Sequence, residues 1–138
     1  DCPDPSSYSF GKLFTTRFYR LVRGALVVLG ALVVQATSPM FARRSFWTVA
    51  STLEAVGFSV RGYHTAVPSF GEWGYVLAAT GPFDLPDWLP SPQAYLTPEI
   101  MKTSFVFAAD TSRLPAEPNR LDNQVLVRVY EQEWSQWN

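Results

Sequence analysis

Cysteine, histidine, excess positive charge and long apolar runs are scarce in this sequence, and each scarcity argues against a class of protein or of site. It contains one cysteine and one histidine, so it cannot form an internal disulfide, and no Cys/His group has the spacing of a metal site. Lysine and arginine number 11 against 12 acidic residues, and this balance argues against nucleic acid as a partner. The longest apolar run, residues 25–36, is well below the ~20 residues of a membrane span. We therefore predict a reducing, cytoplasmic compartment and a site without a metal.

Glycine-rich turns of the kind that bind nucleotide cofactors are also absent. The 8 glycines are scattered, and none forms a Gly-x-Gly group. A complete doubly wound domain of that kind carries such a turn after its first strand, where the backbone must approach the cofactor. The chain is therefore predicted to be a partial domain, and none of its residues is assigned to cofactor binding.

The 138 residues, 47% of them hydrophobic, can form a substantial core. Apolar residues recur at helical spacing from Lys12 onward and predict a helix that ends before Gly30. The segment Ala31–Ala36 predicts a strand that is apolar on both faces, as in a central strand covered by helices. A second helix is predicted over Arg44–Val56, and Gly57 ends it.

A hairpin is predicted next. Phe58–Val67 and Trp73–Ala79 have the composition of strands, and Pro68–Gly71 supplies the turn, so the two strands should pair antiparallel. The order helix, strand, helix, hairpin is typical of the carboxyl half of a Rossmann-like, methyltransferase-type doubly wound sheet. Such sheets commonly end in an antiparallel strand. The fold class is therefore α/β.

The rest of the chain, residues 81–138, is predicted to be a loop and a helical tail that pack on residues 1–80. Its first part is rich in proline, which suits an ordered surface loop. Thr97 then has the position of an N-cap for a short helix. A last helix is predicted over residues 123–136 with Asp122 as its cap, although the alternating valines there also suit a strand.

The stretch around which the chain is organised is its opening, Asp1-Cys2-Pro3-Asp4-Pro5. Two carboxylates three positions apart lie on a segment that two prolines stiffen, which suits a loop that holds a cation. Taken alone, the pattern is weak, because aspartates beside prolines usually cap or turn the chain.

Three apolar blocks follow this opening in order, GKLFTTRFYRLV, ALVVQATSP and YHTAVPSFGEWGYVLAA, and the tail LDNQVLVRVYEQEW comes after them. Asp1, Asp4 and Pro5 match the family loop Asp-x-x-Asp-Pro position by position. Together these segments resemble the carboxyl-terminal half of the spermidine synthase, or polyamine aminopropyltransferase, family, nearest to its membrane-associated bacterial members. The resemblance implies a protein held at the cytoplasmic face of a membrane where a transmembrane segment precedes this chain.

The resemblance implies transfer of an aminopropyl group to putrescine, which gives spermidine. Decarboxylated S-adenosylmethionine would be a co-substrate, with no bound cofactor. Asp1 takes the role of the base that removes the proton of the attacking amine, and Asp4 holds the charge of the polyamine. The implied partners are a polyamine and the missing amino-terminal half of the domain. Without that half, Ala31–Ala36 would present an unpaired apolar edge, which predicts association into a homo-oligomer.

Three further residues are predicted to bind substrate. Phe70 stands where many spermidine synthases carry a tyrosine, so the ring is kept and the hydroxyl is lost, and the ring face can still attract a cation. Glu72 could replace the charge of that phenol, although a glutamate in a hairpin is more often solvated. Gln35 ends a strand at the side where doubly wound sheets bind ligands, although satisfying nearby backbone is the commoner role.

Two alternatives to the transferase stay open at this stage. The chain could be a non-catalytic fragment or a module that only binds a polyamine or a partner. It could also be an S-adenosylmethionine-dependent methyltransferase of the same fold, which the Asp-x-x-Asp loop disfavours because methyl transfer has no need of a polyamine site.

Overall fold

The computed structural model describes residues 3–137, and its elements follow the predicted order. Asp1, Cys2 and Asn138 lie outside the described residues. The elements are α1 (Tyr8–Gly11), a 3₁₀ turn (Lys12–Phe14), α2 (Thr16–Ala25), β1 (Ala31–Gln35), α3 (Arg43–Ala55), β2 (Ser59–Val67), β3 (Gly71–Ala79), α4 (Pro98–Ser104) and α5 (Val125–Trp134).

The three strands form one sheet in the order β1–β3–β2. β3 pairs antiparallel with both neighbours, so the predicted hairpin is confirmed. Because β3 is inserted between them, β1 and β2 run in the same direction and α3 connects them. Gly71 has φ +78° at the end of the hairpin turn, a conformation that favours glycine.

One face of the sheet packs on α3. The fully buried ring of Phe46 lies against Gly62 and Gly74, and a Cβ atom at Gly74 would come within 2.5 Å of that ring. Strand alternation places Val34 on this face and Val33 on the other, where Val33 is 53% exposed. The predicted cover on both faces of β1 is therefore absent from the part of the chain that the structure describes.

The helix predicted from Lys12 is confirmed over α2, but its first turn is separate, because residues 12–14 form a 3₁₀ turn and the chain is extended at Thr15. Thr15 is extended, with φ −92° and ψ 157°, and its Oγ1 accepts a hydrogen bond of 3.2 Å from the Phe18 N–H. The N–H of Thr16 donates to the carbonyl of Asn119 at 2.9 Å. A buried N-cap and a tertiary hydrogen bond thus set the start of α2.

Helix α5 packs against α3, and a side chain of α5 caps the N-terminus of α3. Ala42, at the N-cap position of α3, has no capping side chain. Instead, Glu133 accepts hydrogen bonds from the backbone N–H groups of Arg44 (2.7 Å) and Ser45 (2.9 Å). Its Oε2 also accepts from the Ser45 hydroxyl at 2.7 Å. A carboxylate here satisfies two otherwise unpaired donors and interacts favourably with the helix dipole.

The predicted cap of the last helix is also wrong. Asp122 pairs with Arg120 (3.2 Å), and the carboxamide of Asn123 accepts instead from the N–H of Val125 at 3.2 Å. The first turn of α5 also depends on Asn119, whose side-chain oxygen accepts from the Leu126 N–H at 3.1 Å.

Replacing Glu133 by alanine should lower the free energy of unfolding by about 1–2 kcal/mol, the usual cost of a lost N-cap. Urea unfolding followed by circular dichroism measures the change. Glu131→Ala is the matched control, because Glu131 is exposed on the same helix and its carboxylate has no hydrogen bond or ion pair within residues 3–137. Equal effects of the two substitutions would contradict the capping role.

Candidate functional site

A small cavity of about 190 Å³ brings together residues that are far apart in the sequence. It is lined by Asp4, Gln35, Val67, Phe70, Trp73 and Tyr75. Three of the four described residues that the sequence predicted to bind substrate therefore meet at one place. The fourth, Glu72, lies elsewhere, and Asp1 lies outside the described residues.

The sheet positions most of this site. Gln35 is the last residue of β1 and lies opposite Tyr75 in β3, so the two side chains share a face. Trp73 is two residues before Tyr75 and is on that face too. Phe70 comes from the turn that precedes β3, where its N–H donates to the Val67 carbonyl at 3.0 Å.

Aromatic rings form much of the wall. The ring centroids of Phe70 and Trp73 are 5.6 Å apart, and the rings of Tyr75 and Tyr63 stack at 5.2 Å. Trp73 is buried, whereas Phe70 is 64% exposed at the end of the hairpin. Ring faces carry partial negative charge, so this wall is suited to an alkyl chain that bears a cation.

Asp4 is the charged residue of this cavity. Its backbone carbonyl accepts from the Ser6 N–H at 2.7 Å, which closes a short turn around the buried Pro5. One carboxylate oxygen, Oδ2, accepts a hydrogen bond of 3.1 Å from the hydroxyl of Tyr130 on α5. A carboxylate, an amide and aromatic faces around one small space can bind a primary ammonium group.

Two tyrosines beside the site, Tyr130 on Asp4 and Tyr63 stacked on Tyr75, have raised pKa values. Burial raises the pKa of Tyr130 well above its usual range, and the negative charge of Asp4 adds to the effect. Burial likewise raises the pKa of Tyr63, with a further contribution from Tyr75. Both phenols are therefore neutral at neutral pH, and that of Tyr130 donates its proton to Asp4.

Glu72 points to the opposite side of the sheet from Trp73, because neighbouring residues of a strand alternate. Its Oε1 lies 3.5 Å from Nδ1 of His64, whose Nε2 donates to the Val106 carbonyl at 2.6 Å. Glu72 and His64 line a separate cavity of about 580 Å³ between the hairpin and the segment around α4. The structure thus does not bring Glu72 to Asp4.

Comparison with known proteins identifies the family of this chain. Residues 1–83 match the sequence profile described as the spermine/spermidine synthase domain, which is more than half of the chain. The chain belongs to the spermine/spermidine synthase family. Asp4, Gln35, Phe70, Trp73 and Tyr75 all lie within the matched residues, whereas Tyr130 lies outside them.

The similarity to individual family members continues through the tail. The chain is 47% identical over 136 residues to "Polyamine aminopropyltransferase 2" of Ralstonia nicotianae, covering 97% of this chain and 27% of that protein. It is 43% identical over 135 residues to "Polyamine aminopropyltransferase" of Leptospira interrogans, covering 98% of this chain and 27% of that protein. The chain thus spans about a quarter of the length of these curated relatives.

Solved structures of the family agree with the fold. The spermidine synthase of Thermotoga maritima superposes with a TM-score of 0.57 at 26% identity, covering 70% of this chain and 36% of that one. A spermidine synthase in complex with the transition-state analogue AdoDATO gives the same TM-score and identity and covers 37% of that chain. The α/β fold and the resemblance stated from the sequence are both confirmed.

The sequence reasoning did not single out several of these residues. Trp73 and Tyr75 could have been found from strand alternation, because it places them on the face that Gln35 shares. Tyr130 had no such signal, since it is 126 residues from Asp4 and on a helix of the tail.

Two other kinds of feature are absent from residues 3–137. These residues contain no group of three or more His, Cys, Asp or Glu side chains that could hold a metal ion. None of the helices in this described range is long and apolar enough to cross a membrane.

Proposed function

We propose that the full-length protein transfers an aminopropyl group from decarboxylated S-adenosylmethionine to a diamine such as putrescine. The products would be spermidine and methylthioadenosine. The observation that carries the proposal is the meeting of Asp4, Gln35 and Phe70 in one cavity of a chain that belongs to the spermine/spermidine synthase family.

In this reaction a neutral amine attacks the carbon next to the sulfonium sulfur. A C–N bond forms, the C–S bond breaks, and its electron pair passes to sulfur, which becomes a neutral thioether. The amine must give up a proton, since an ammonium group has no lone pair. Asp1 is proposed as the acceptor of that proton, and the remaining work is to orient the two substrates.

The far end of the diamine keeps its charge, and Asp4 is proposed to bind it. A carboxylate that faces an ammonium forms a charge-assisted hydrogen bond. Phe70 would contribute its ring face, and Gln35 would accept a further hydrogen bond through its carboxamide oxygen. The cavity of about 190 Å³ is small and suits a short alkyl chain better than an adenosyl group. No residue of this chain is assigned to binding decarboxylated S-adenosylmethionine, the aminopropyl donor.

The amino-terminal half of the domain is the proposed partner of this chain. Within residues 3–137, β1 pairs on one side only, with β3, and leaves its other edge open. Before it lie three apolar residues, Val27, Val28 and Leu29, which are 76%, 90% and 80% exposed. A further strand and its helices would cover this edge and this apolar surface. Attachment to a membrane through a segment outside this chain is a further part of the proposal.

The test is a transfer assay with the full-length protein, putrescine and decarboxylated S-adenosylmethionine. Mass spectrometry should detect spermidine and methylthioadenosine in equal amounts. Binding of putrescine without product would favour the non-catalytic polyamine-binding module. A methylated product from S-adenosylmethionine would instead favour the methyltransferase.

Asp4→Asn should raise the KM for putrescine by roughly 10- to 100-fold, since a hydrogen bond to a charged group is worth about 1.5–3 kcal/mol. Turnover at saturating putrescine should change much less, because Asp4 is not the proposed base. Steady-state kinetics with putrescine varied measures both constants. Asp110→Asn is the matched control, since Asp110 is exposed and its carboxylate makes no hydrogen bond or ion pair among the described residues. An unchanged KM would remove Asp4 from the amine site.

A further inference from the structure

The hydrogen bond between Tyr130 and Asp4 joins the last helix to the opening loop. Tyr130 Oη donates to Asp4 Oδ2 over 3.1 Å, across 126 residues of sequence. It is the only hydrogen bond or ion pair that the Asp4 side chain makes within residues 3–137. We propose that Tyr130 is a positioning residue that orients the Asp4 carboxylate toward the amine cavity.

The direction of this hydrogen bond is settled by chemistry. A carboxylate only accepts, so the phenol must donate its proton. Burial and the charge of Asp4 raise the pKa of Tyr130, and the phenol therefore keeps that proton at neutral pH. The contact is thus a hydrogen bond from a neutral phenol to a charged carboxylate.

Helix α5 holds Tyr130 in place through two independent contacts. One turn further along, Glu133 is bonded to the N-terminus of α3 by the hydrogen bonds from Arg44 and Ser45. Trp134 contacts the ring of Tyr130 (5.9 Å between centroids) and the ring of Trp73 in the cavity wall (6.4 Å). The phenol is therefore fixed relative to the sheet that supplies the rest of the cavity.

This arrangement has a consequence for the two oxygens of Asp4. Oδ2 is occupied by Tyr130, whereas Oδ1 has no hydrogen-bond partner among the described residues. A carboxylate held by one oxygen loses rotational freedom before the ligand arrives, and Oδ1 is then the atom available to an ammonium group. Ordering a group in advance lowers the entropic cost of binding. The inference rests on the proposed function, because orienting Asp4 matters only if an amine binds there.

The test is Tyr130→Phe in the full-length protein, a change that removes one hydroxyl and keeps the ring. The dissociation constant for putrescine, measured by calorimetry, should rise about 3- to 10-fold, the worth of one ordinary hydrogen bond. The KM for putrescine should rise with it, whereas kcat and the KM for decarboxylated S-adenosylmethionine should stay within about twofold. Tyr95→Phe is the matched control, because Tyr95 is 63% exposed and lines the separate cavity of His64.

A second comparison separates positioning from a purely structural role. In the Asp4→Asn background, Tyr130→Phe should change putrescine binding by less than about twofold, because the carboxylate it orients is gone. An unchanged dissociation constant in the single variant would overturn the inference. So would a rise of equal size in both backgrounds, or an equal loss in every kinetic constant together with a lower unfolding midpoint.

Measuring putrescine binding also distinguishes a failure of this inference from a failure of the proposed function. A full-length protein that binds putrescine but forms no spermidine would contradict the transferase and still measure the effect of Tyr130. A protein that binds neither putrescine nor spermidine would overturn both.

Discussion

Replacing Asp1 by asparagine in the full-length protein should lower turnover by about 10²–10⁴-fold, the usual cost of a lost general base. Asparagine has the size and shape of aspartate, but its carboxamide cannot take the proton of the attacking amine. The KM for putrescine should change less than turnover, because substrate binding depends on other groups. Single-turnover measurement of spermidine formation isolates the chemical step.

The comparison with Asp4→Asn makes this prediction specific. The two aspartates are three positions apart in the sequence, in an opening segment that contains two prolines. If the roles are divided as proposed, Asp1→Asn acts on kcat and Asp4→Asn on KM. Small and equal effects of both substitutions would show that the loop is structural, and the proposed mechanism would then be wrong.

Replacing Asn119 by leucine should destabilise the fold by about 3–5 kcal/mol. Asn119 is fully buried, and its Nδ2 donates to the carbonyls of Gly11 (3.2 Å) and Phe14 (3.1 Å). Its Oδ1 accepts from the Leu126 N–H at 3.1 Å. Leucine would leave these three backbone groups buried without a partner, and each such group costs about 1–3 kcal/mol.

Urea unfolding followed by tryptophan fluorescence measures the loss of stability. Gln132→Leu is the control for polarity, because Gln132 is an exposed amide on α5 whose side chain makes no hydrogen bond within residues 3–137. Asn119→Asp tests the direction of the bonds, since a carboxylate accepts from Leu126 but cannot donate to Gly11 or Phe14. A loss below about 1 kcal/mol for Asn119→Leu would mean that the surrounding backbone relaxes to find other partners.

The elements with strong local signals were predicted well. Gly57 ends α3 with φ +92°, a conformation that glycine adopts readily. Thr97 caps α4 through a hydrogen bond of 3.2 Å from the N–H of Ile100. The hairpin was recognised because a turn with Pro68 and Gly71 separates two strand-like segments. Each of these signals acts over a few neighbouring residues, so the local sequence is sufficient to predict the element.

The errors occur where distant residues satisfy the backbone. The helix predicted from Lys12 is broken because the carbonyl of Asn119 receives the Thr16 N–H. Helix α3 has no cap of its own, and Glu133 supplies it from the other end of the chain. Neither partner has a sequence spacing that could reveal it, because both contacts form only when the tail packs on α2 and α3.

The residues of the candidate site also fall into two groups, those that the sequence predicted and those that only the packed structure brings together. Asp4 and Phe70 were predicted from the family resemblance and Gln35 from its place at the end of a strand, and the fold brings the three to one cavity. The separation of Glu72 from them follows from the side of β3 on which it lies, which depends on the strand's register in the sheet. The contact of Tyr130 with Asp4 required the packed structure, because a hydrogen bond across 126 residues exists only once the tail has docked on the core.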